Sequence, residues 1–287
     1  MNDQAESLRR LTQSSNEKNA KVIAVVSGKG GVGKSNVCLN FAISLSKLGK
    51  KVAIFDLDIG MANLDILMGL SSKYHIVDML ENQLTIWDII EKGPANISYL
   101  AGGSGFSSFI QLNEELMQRF FQQLELIGQS FDYIFLDMGA GATKESIQFM
   151  LAAHEVFVVT TPEPTAMTDA YAMVKYIHLH DESKPLFLIV NRSETEQEGL
   201  RTLASFQRVA KQFLNKELQV LGFLPNDKVV IKAVKSQTPF VIFDEKAKVS
   251  LSMRRLVNEY LNDFEKEEER SFGSFIKKMK MLFKENK

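Results

Sequence analysis

Short runs of β-branched and aromatic residues alternate along this chain with longer stretches of helical periodicity. Seven runs read as strands: VIAVVS from Val22, VAIFDLD from Val52, ISYLAGG from Ile97, DYIFLD from Asp132, EVFVVTT from Glu155, PLFLIVN from Pro185 and LQVLGFLP from Leu218. Most are apolar at successive positions, so both of their faces must be covered, as in a parallel sheet flanked by helices. Helical segments fall between them, over residues 114–128 and 165–180 among others, and one more begins near Lys34. The pattern predicts one α/β domain over residues 21–264, a mainly parallel twisted sheet with helices on both faces. A polar segment, 1–20, precedes it, and residues 265–287 follow, where the charged hinge EKEEER leads into a short amphipathic stretch. Both ends read as tethered segments.

Composition narrows the class. With 287 residues, 45% hydrophobic and 24% charged, the chain can bury a sizeable core. A formal net charge of −1 gives no general attraction to nucleic acid or anionic lipid, so any such binding must come from a local patch. The single cysteine, Cys38, cannot form an internal disulfide, and its place inside the first helix suits a packed core residue. No stretch has the apolar region of a signal peptide or the ~20 apolar residues of a membrane span, which leads us to expect a cytoplasmic protein.

The most informative stretch is VSGKGGVGKS, residues 26–35. Gly28, Gly33, Lys34 and Ser35 satisfy the Walker A spacing G-x-x-x-x-G-K-[ST] directly after a strand and before a helix. There the loop amides and the helix N-terminus face phosphate oxygens, Lys34 reaches the β and γ phosphates, and the Ser35 hydroxyl can hold Mg²⁺. Lys34 fills the lysine position of that pattern, so a second lysine, Lys29, needs its own account. From spacing alone it reads equally well as a solvated loop lysine.

The whole stretch KGGVGKS resembles the deviant Walker A motif of the family that includes the MinD, ParA, arsenite-pump and nitrogenase-iron-protein ATPases. The resemblance implies an α/β P-loop NTPase fold of MinD type, with ATP and Mg²⁺ as cofactors and hydrolysis of ATP as the reaction. It also implies a homodimer closed by ATP, in which Lys29 reaches the phosphates of the other subunit, as an arginine finger does elsewhere. Gly28, Lys29, Gly30, Gly31, Val32, Gly33, Lys34, Ser35 and Asn36 then form the nucleotide loop. FDLDIGMANLD, residues 55–65, resembles the first switch, where Asp58 orients the attacking water and Asp56 supports the metal site beside Ser35. Without the loop, these paired aspartates would also read as helix caps. DYIFLDMGAG, residues 132–141, resembles the Walker B strand and second switch, with Asp137 on the Mg²⁺ hydration shell. It departs from the family's D-x-P-A-G, since Met138 and Gly139 fill the middle with no proline, which puts the stiffness of that switch in question. Asn191 and Arg192 of IVNR, with Pro225, Asn226 and Asp227 of LPND, resemble the base-recognition pair, where the Asn191 amide reads adenine and Arg192 stacks on or contacts it. Either segment could be a plain loop.

The two ends select a branch. In SFGSFIKKMKMLFKENK, Phe272, Phe275, Ile276, Met279, Leu282 and Phe283 share one helical face, and Lys277, Lys278, Lys280 and Lys284 occupy the rest. Such a helix can lie in a membrane interface with its lysines near anionic head groups, or pack on its own domain or a partner. Presented in pairs by a dimer, it gains by effective concentration. The tail is similar to that of MinD-like proteins, which favours the membrane. DQAESLRRL, residues 3–11, resembles the start of the flagellar MinD-like ATPases known as FlhG, FleN or YlxH. In that group the segment activates FlhF, a GTPase of the signal-recognition-particle class, and the pair sets flagellar number and placement. The resemblance places Asp3, Gln4, Ala5, Leu8 and Arg9 in the activating segment, with Gln4 at the partner's GTP site and Leu8 and Leu11 as anchors. It further implies flagellar switch-complex (C-ring) proteins as partners and reversible residence on the cytoplasmic face of the membrane. The same residues read bottom-up could be a disordered leader. Within the fold the alternative is a ParA-type partition ATPase that binds DNA, for which the late stretch from Met253 supplies only Arg254 and Arg255, so nucleic acid is not expected. A non-catalytic scaffold that uses ATP only to assemble is the alternative from another class.

Overall fold

The apolar runs become β1 (Lys21–Val26), β2 (Val52–Leu57), β3 (Glu91–Lys92), β4 (Ser98–Ala101), β5 (Tyr133–Met138), β6 (Glu155–Thr160), β7 (Leu186–Ser193) and β8 (Gln219–Pro225). They form one sheet in the order β3-β4-β2-β5-β1-β6-β7-β8. Every pairing is parallel except the short β3–β4 ladder at one edge. Strand β3 is absent from the sequence expectation because two residues carry no periodicity. This is a computed structural model, and it describes residues 20–58, 64–103, 114–139, 144–264 and 271–285. The helices among these are α1 (Lys34–Lys47), α2 (Leu64–Met68), α3 (Ile76–Glu81), α4 (Ile86–Ile89), α5 (Glu114–Ile127), α6 (Lys144–Ala152), α7 (Pro164–His180), α8 (Glu196–Leu214), α9 (Lys228–Lys235), α10 (Phe240–Phe243), α11 (Lys248–Glu259) and α12 (Phe272–Glu285).

Successive side chains of a strand point to opposite faces, and β1 shows the consequence of being apolar throughout. Val22, Ala24 and Val26 enter one core, and Ile23 and Val25 enter the other. Helices α1 and α11 cover the second core through Phe41, Leu45, Met253 and Leu256, with Tyr260 between them. Helices α5, α6, α7 and α8 cover the first through Phe120, Phe149, Val174 and Phe206. Cys38 is buried in the second core, as its place in α1 suggests. Local chemistry ends the later helices where the chain must turn. The Thr195 hydroxyl accepts the Glu198 N–H at the start of α8, and Asn215 closes it in the left-handed region at φ 50°.

Parallel pairing brings the C-terminal ends of the strands to one edge. Asp56 lies opposite Asp137 across β2–β5, and Asp137 lies opposite Val25 across β5–β1. Strand order changes direction at β1, with β5 and β2 on one side and β6 to β8 on the other. Ligands of open α/β sheets bind outside the strand ends at such a point.

The C-terminal helix differs from the sequence expectation of a tethered tail. Helix α12 packs on α5 and α6 of the α/β domain. Phe272, Phe275, Ile276 and Met279 are buried in the first core, and Leu282 and Phe283 pack partly buried against it. The Phe283 ring meets Phe121 and Phe149 edge-on at centroid distances of 6.2 and 6.0 Å. Of the lysines, Lys277 and Lys280 are exposed and Lys278 is half-buried. Lys278 donates to Asp181 at 2.6 Å, and Lys280 pairs with Glu125 at 2.7 Å. The Gln148 amide donates to the Leu282 carbonyl at 3.0 Å. His154 Nδ1 accepts the Val22 N–H at 2.9 Å, which leaves its Nε2–H to donate to Ser274 at 3.1 Å. The apolar face that could meet lipid is therefore covered by the protein's own domain. The periodicity of α12 states that this face must be buried, and says nothing of what buries it.

Candidate functional site

The phosphate loop occupies the corner between β1, α1 and the start of α7. A Cβ at Gly28 would run into the backbone of Asp169 and Ala170 in α7, so only glycine lets the loop lie this close. Gly33 is in the left-handed region at φ 89°, and a side chain there would also strike the Asn191 amide. Val32 is buried, whereas Lys29, Gly30 and Gly31 are exposed at the rim. The N-terminus of α1 follows at Lys34, so its first free N–H groups face the same space.

The two lysines of the loop sit in different environments. The Lys34 side chain is 7% exposed, and its ammonium lies 2.6 Å from an Asp137 carboxylate that is 1% exposed. Burial alone would lower the Lys34 pKa, but Asp137 outweighs it and holds the ammonium above its ordinary value. Ser35 bonds the same pair, with its hydroxyl 3.3 Å from Lys34. Lys29 is 43% exposed and rests on Glu163 at 3.3 Å and the Thr165 hydroxyl at 3.2 Å, both at the start of α7. An ion pair this exposed contributes about 0–1 kcal/mol, so Lys29 can leave it at little cost.

The switch aspartates stand beside the Lys34–Asp137 pair. Asp56, at the end of β2, is buried and accepts the Asp58 N–H at 3.1 Å, the Tyr99 hydroxyl at 3.3 Å and the Leu64 N–H at 3.4 Å. Burial, with the Asp137 carboxylate next to it, pushes its pKa up to about 7. Asp58 follows at the mouth of the site, with its carboxylate over Gly139, where a Cβ would come to 3.2 Å of Oδ1. The missing proline is thus a place where Asp58 approaches the β5 strand end closely. Residues 59–63 and 140–143, the remaining parts of both switch stretches, lie outside the described residues.

A cavity of about 580 Å³ opens from this corner. Gly33 and Asn36 of the loop line it, as do Asn191, Arg192, Pro225, Asn226 and Asp227, so the structure joins the loop and both segments expected to recognise a base around one space. Arg192 reaches it from a bulge, with φ 60° and a break in the β7–β8 register between Val190 and Ser193. Asn191 also makes a structural contact beside this space. Its amide nitrogen donates to the Val32 carbonyl at 2.8 Å, clamping the phosphate loop to β7. Thr161, Glu163, Glu194 and Glu198 also line the cavity and escaped the sequence reading. The signal for the first two was their place just after strand β6. The Thr161 hydroxyl is buried with no hydrogen-bond partner among the described residues, which suits a polar ligand. The donors Lys34 and Ser35 fit phosphate, and the clustered carboxylates Asp56 and Asp137 fit a hard divalent cation. Residues 1–20, with Asp3, Gln4, Ala5, Leu8 and Arg9, fall outside the described residues apart from Ala20.

Comparison with known proteins gives the same picture. A family profile described as "ParA: NUBPL iron-transfer P-loop NTPase" matches residues 18–261. Antiactivator FleN of Pseudomonas aeruginosa is 34% identical over 234 residues, 82% of this chain and 84% of FleN. Flagellum site-determining protein YlxH of Helicobacter pylori is 38% identical over 248 residues, 83% of each chain. Among solved structures, a chain of the MinC:MinD cell division protein complex of Aquifex aeolicus superposes with a TM-score of 0.69 at 25% identity, covering 87% of this chain and 99% of that one. The Mg-ADP complex of MinD from Pyrococcus horikoshii superposes at 0.68 with 23% identity, covering 85% and 96%.

The two environments of the loop lysines predict different variants. Lys34→Ala removes a charge-assisted phosphate contact and lowers nucleotide affinity by at least ~10-fold to 100-fold. It also leaves Asp137 buried without its cation, which costs about 3–5 kcal/mol of stability. Lys29→Ala leaves affinity within about threefold and stability within about 0.5 kcal/mol, because its contacts are exposed. Fluorescent-nucleotide titration and urea unfolding read both, and equal losses in the two variants contradict this division.

Proposed function

The chain belongs to the ParA/MinD family of P-loop NTPases, within which we propose that it is an FlhG-type ATPase switching between a cytosolic monomer and a membrane-bound ATP dimer that regulates flagellar number or placement. Members of this family are ATPases. The observation that carries the dimer is the contrast between the lysines: Lys34 is committed to the interior, and Lys29 stands at the rim on exposed partners. Its exposure at the rim, beside a complete Walker A loop, supports a role for Lys29 towards phosphates bound by a second copy. Ser35, Asp56 and Asp137 would hold Mg²⁺, which when bound would neutralise charge on the phosphate of ATP that is cleaved. Lys34 exchanges Asp137 for the phosphate oxygens, which frees the Asp137 carboxylate. Asp58 orients water at the mouth of the site, and Lys29 adds positive charge from the opposite subunit.

The docked tail bears on the membrane half of this reading. Among the described residues no helix is long and apolar enough to cross a membrane. The face of α12 held by the domain is the face that an interface would take, so membrane binding requires undocking. Exposing each large apolar side chain to water costs about 1.5–3 kcal/mol, but a lipid interface returns that burial. Anionic head groups likewise replace Asp181 and Glu125 around Lys278 and Lys280. Lys278, Ser183 and Lys184 outweigh burial and hold the Asp181 pKa at about 2. A depressed carboxylate of this kind is lost only as pH falls from its unfolded value near 3.8 towards 2, so physiological pH leaves the latch charged. Helix α6, the next described element after β5, carries Gln148 and Phe149 against the tail, which offers a short physical route from the site to the dock. The resemblance of DQAESLRRL, residues 3–11, to the start of FlhG-type ATPases motivates the reading of that segment as an activator of FlhF, and of C-ring proteins as partners.

Three measurements test the proposal. Light scattering of the full chain should give a monomer with ADP and a dimer with ATP, and Asp58→Ala should accumulate the dimer while turnover falls ~100-fold or more. A monomer under all conditions removes the switch. For the tail, Asp181→Asn with Glu125→Gln should raise flotation on anionic vesicles severalfold in ADP, and Phe275→Glu with Ile276→Glu should abolish it in ATP. Unchanged flotation in both pairs places the membrane contact elsewhere. A synthetic peptide of residues 1–20 should stimulate GTP hydrolysis by the cognate FlhF, weakly bound because a short free segment must be ordered. Basal turnover with the peptide returns the chain to an unspecified MinD-like ATPase.

A further inference from the structure

At the base end of the cavity, the amide nitrogens of Asn191 and Asn226 each already give one N–H to a fixed acceptor. The Asn226 N–H donates to the Ser193 carbonyl at 2.8 Å, and its side-chain nitrogen donates to Glu194 Oε1 at 2.6 Å. The Glu194 N–H in turn donates to Glu198 Oε2 at 2.7 Å, which fixes the start of the loop leading into α8. Asp227 is engaged structurally, since its two oxygens accept the N–H groups of Val229 at 2.9 Å and Val249 at 3.4 Å. The Asn191 nitrogen is held by the Val32 carbonyl.

An ionised carboxylate can only accept hydrogen bonds. Glu194 therefore dictates which end of the Asn226 amide faces it, and Oδ1 becomes the end left for a ligand. Asn191 is turned the same way by a carbonyl that also only accepts. With Glu194 and Glu198 lining the same wall, acceptors predominate at the base end, and Arg192 is the cation among its described lining residues. A purine with an amino group at position 6 brings donors to this wall, and one with a carbonyl there brings an acceptor against acceptors.

We propose that Glu194 is a positioning residue for base choice, which locks the Asn226 amide so that the site takes 6-amino purines and rejects 6-oxo purines. This rests on the nucleotide-site reading above. Glu194 touches the ligand's selector and need not touch the ligand.

The test compares ATP with ITP, which differs at position 6 and, as a consequence, at N1, and carries no group at position 2. The full-length wild-type chain should prefer ATP by ~10-fold or more in competition titrations. Glu194→Gln keeps the size and replaces a pure acceptor by a group that can also donate, so Asn226 can turn. The ATP:ITP ratio should fall to within about threefold, chiefly through tighter ITP binding, with the unfolding midpoint unchanged. Asn226→Ala should lose the preference as well. A Glu194→Gln ratio equal to wild type overturns the inference, including the case where both nucleotides weaken together, which a merely structural role would produce. A wild-type chain that binds neither nucleotide overturns the nucleotide-site reading instead.

Discussion

The buried ion pair between Lys34 and Asp137 is the constraint around which the site is organised. Two charges out of water are tolerated only when each satisfies the other, and here that requires the end of β5 to lie directly beside the loop after β1. Parallel register delivers this, because Val25, Asp137 and Asp56 line up across three adjacent strands. Burial first, and then the Asp137 carboxylate that the same alignment sets beside it, push the Asp56 pKa up to about 7. The same groups suit the ligands of the proposed site, since an ammonium can pair with phosphate and clustered carboxylates with a divalent cation.

Around this fixed centre the groups proposed to act in trans or on membranes are held by weaker, reversible contacts. Lys29 rests on exposed partners, and Lys280 pairs with Glu125 at the surface. The tail helix is different, since its apolar residues are part of the main core and only an equally apolar environment can replace what they lose. Its lysines meet carboxylates on the domain as they would meet anionic head groups. The docking groove therefore resembles, in both its apolar floor and its charged rim, the lipid surface with which it would compete under the proposed function.

Much of the site was legible along the chain. The loop glycines, Lys34, Ser35, Asp56, Asp58 and Asp137 all lie at strand ends in the expected order, because chemistry at the edge of a parallel sheet must sit just after apolar runs. Asn191, Arg192 and the segment from Pro225 were found by motif, and the structure brings them to one cavity with the loop. Glu194 and Thr161 were not found: a surface glutamate has no spacing that marks it, and the place of Thr161 just after β6 is a signal shared by every strand end. Their relevance is a matter of which side chains face a shared space.

By itself the sequence determined the alternation of strands and helices, the two-sided burial of the sheet and the identity of the phosphate loop. These are local properties, set by periodicity of two and 3.6 residues and by the backbone freedom of glycine. It also determined that residues 272–283 must bury an apolar stripe. Only the tertiary structure decided what covers that stripe, which lysine turns inward, and which way the Asn191 and Asn226 amides face. Each of those depends on a partner far along the chain, Asp137 for Lys34, Val32 for Asn191 and Phe149 for Phe283, and no local pattern encodes who the partner will be.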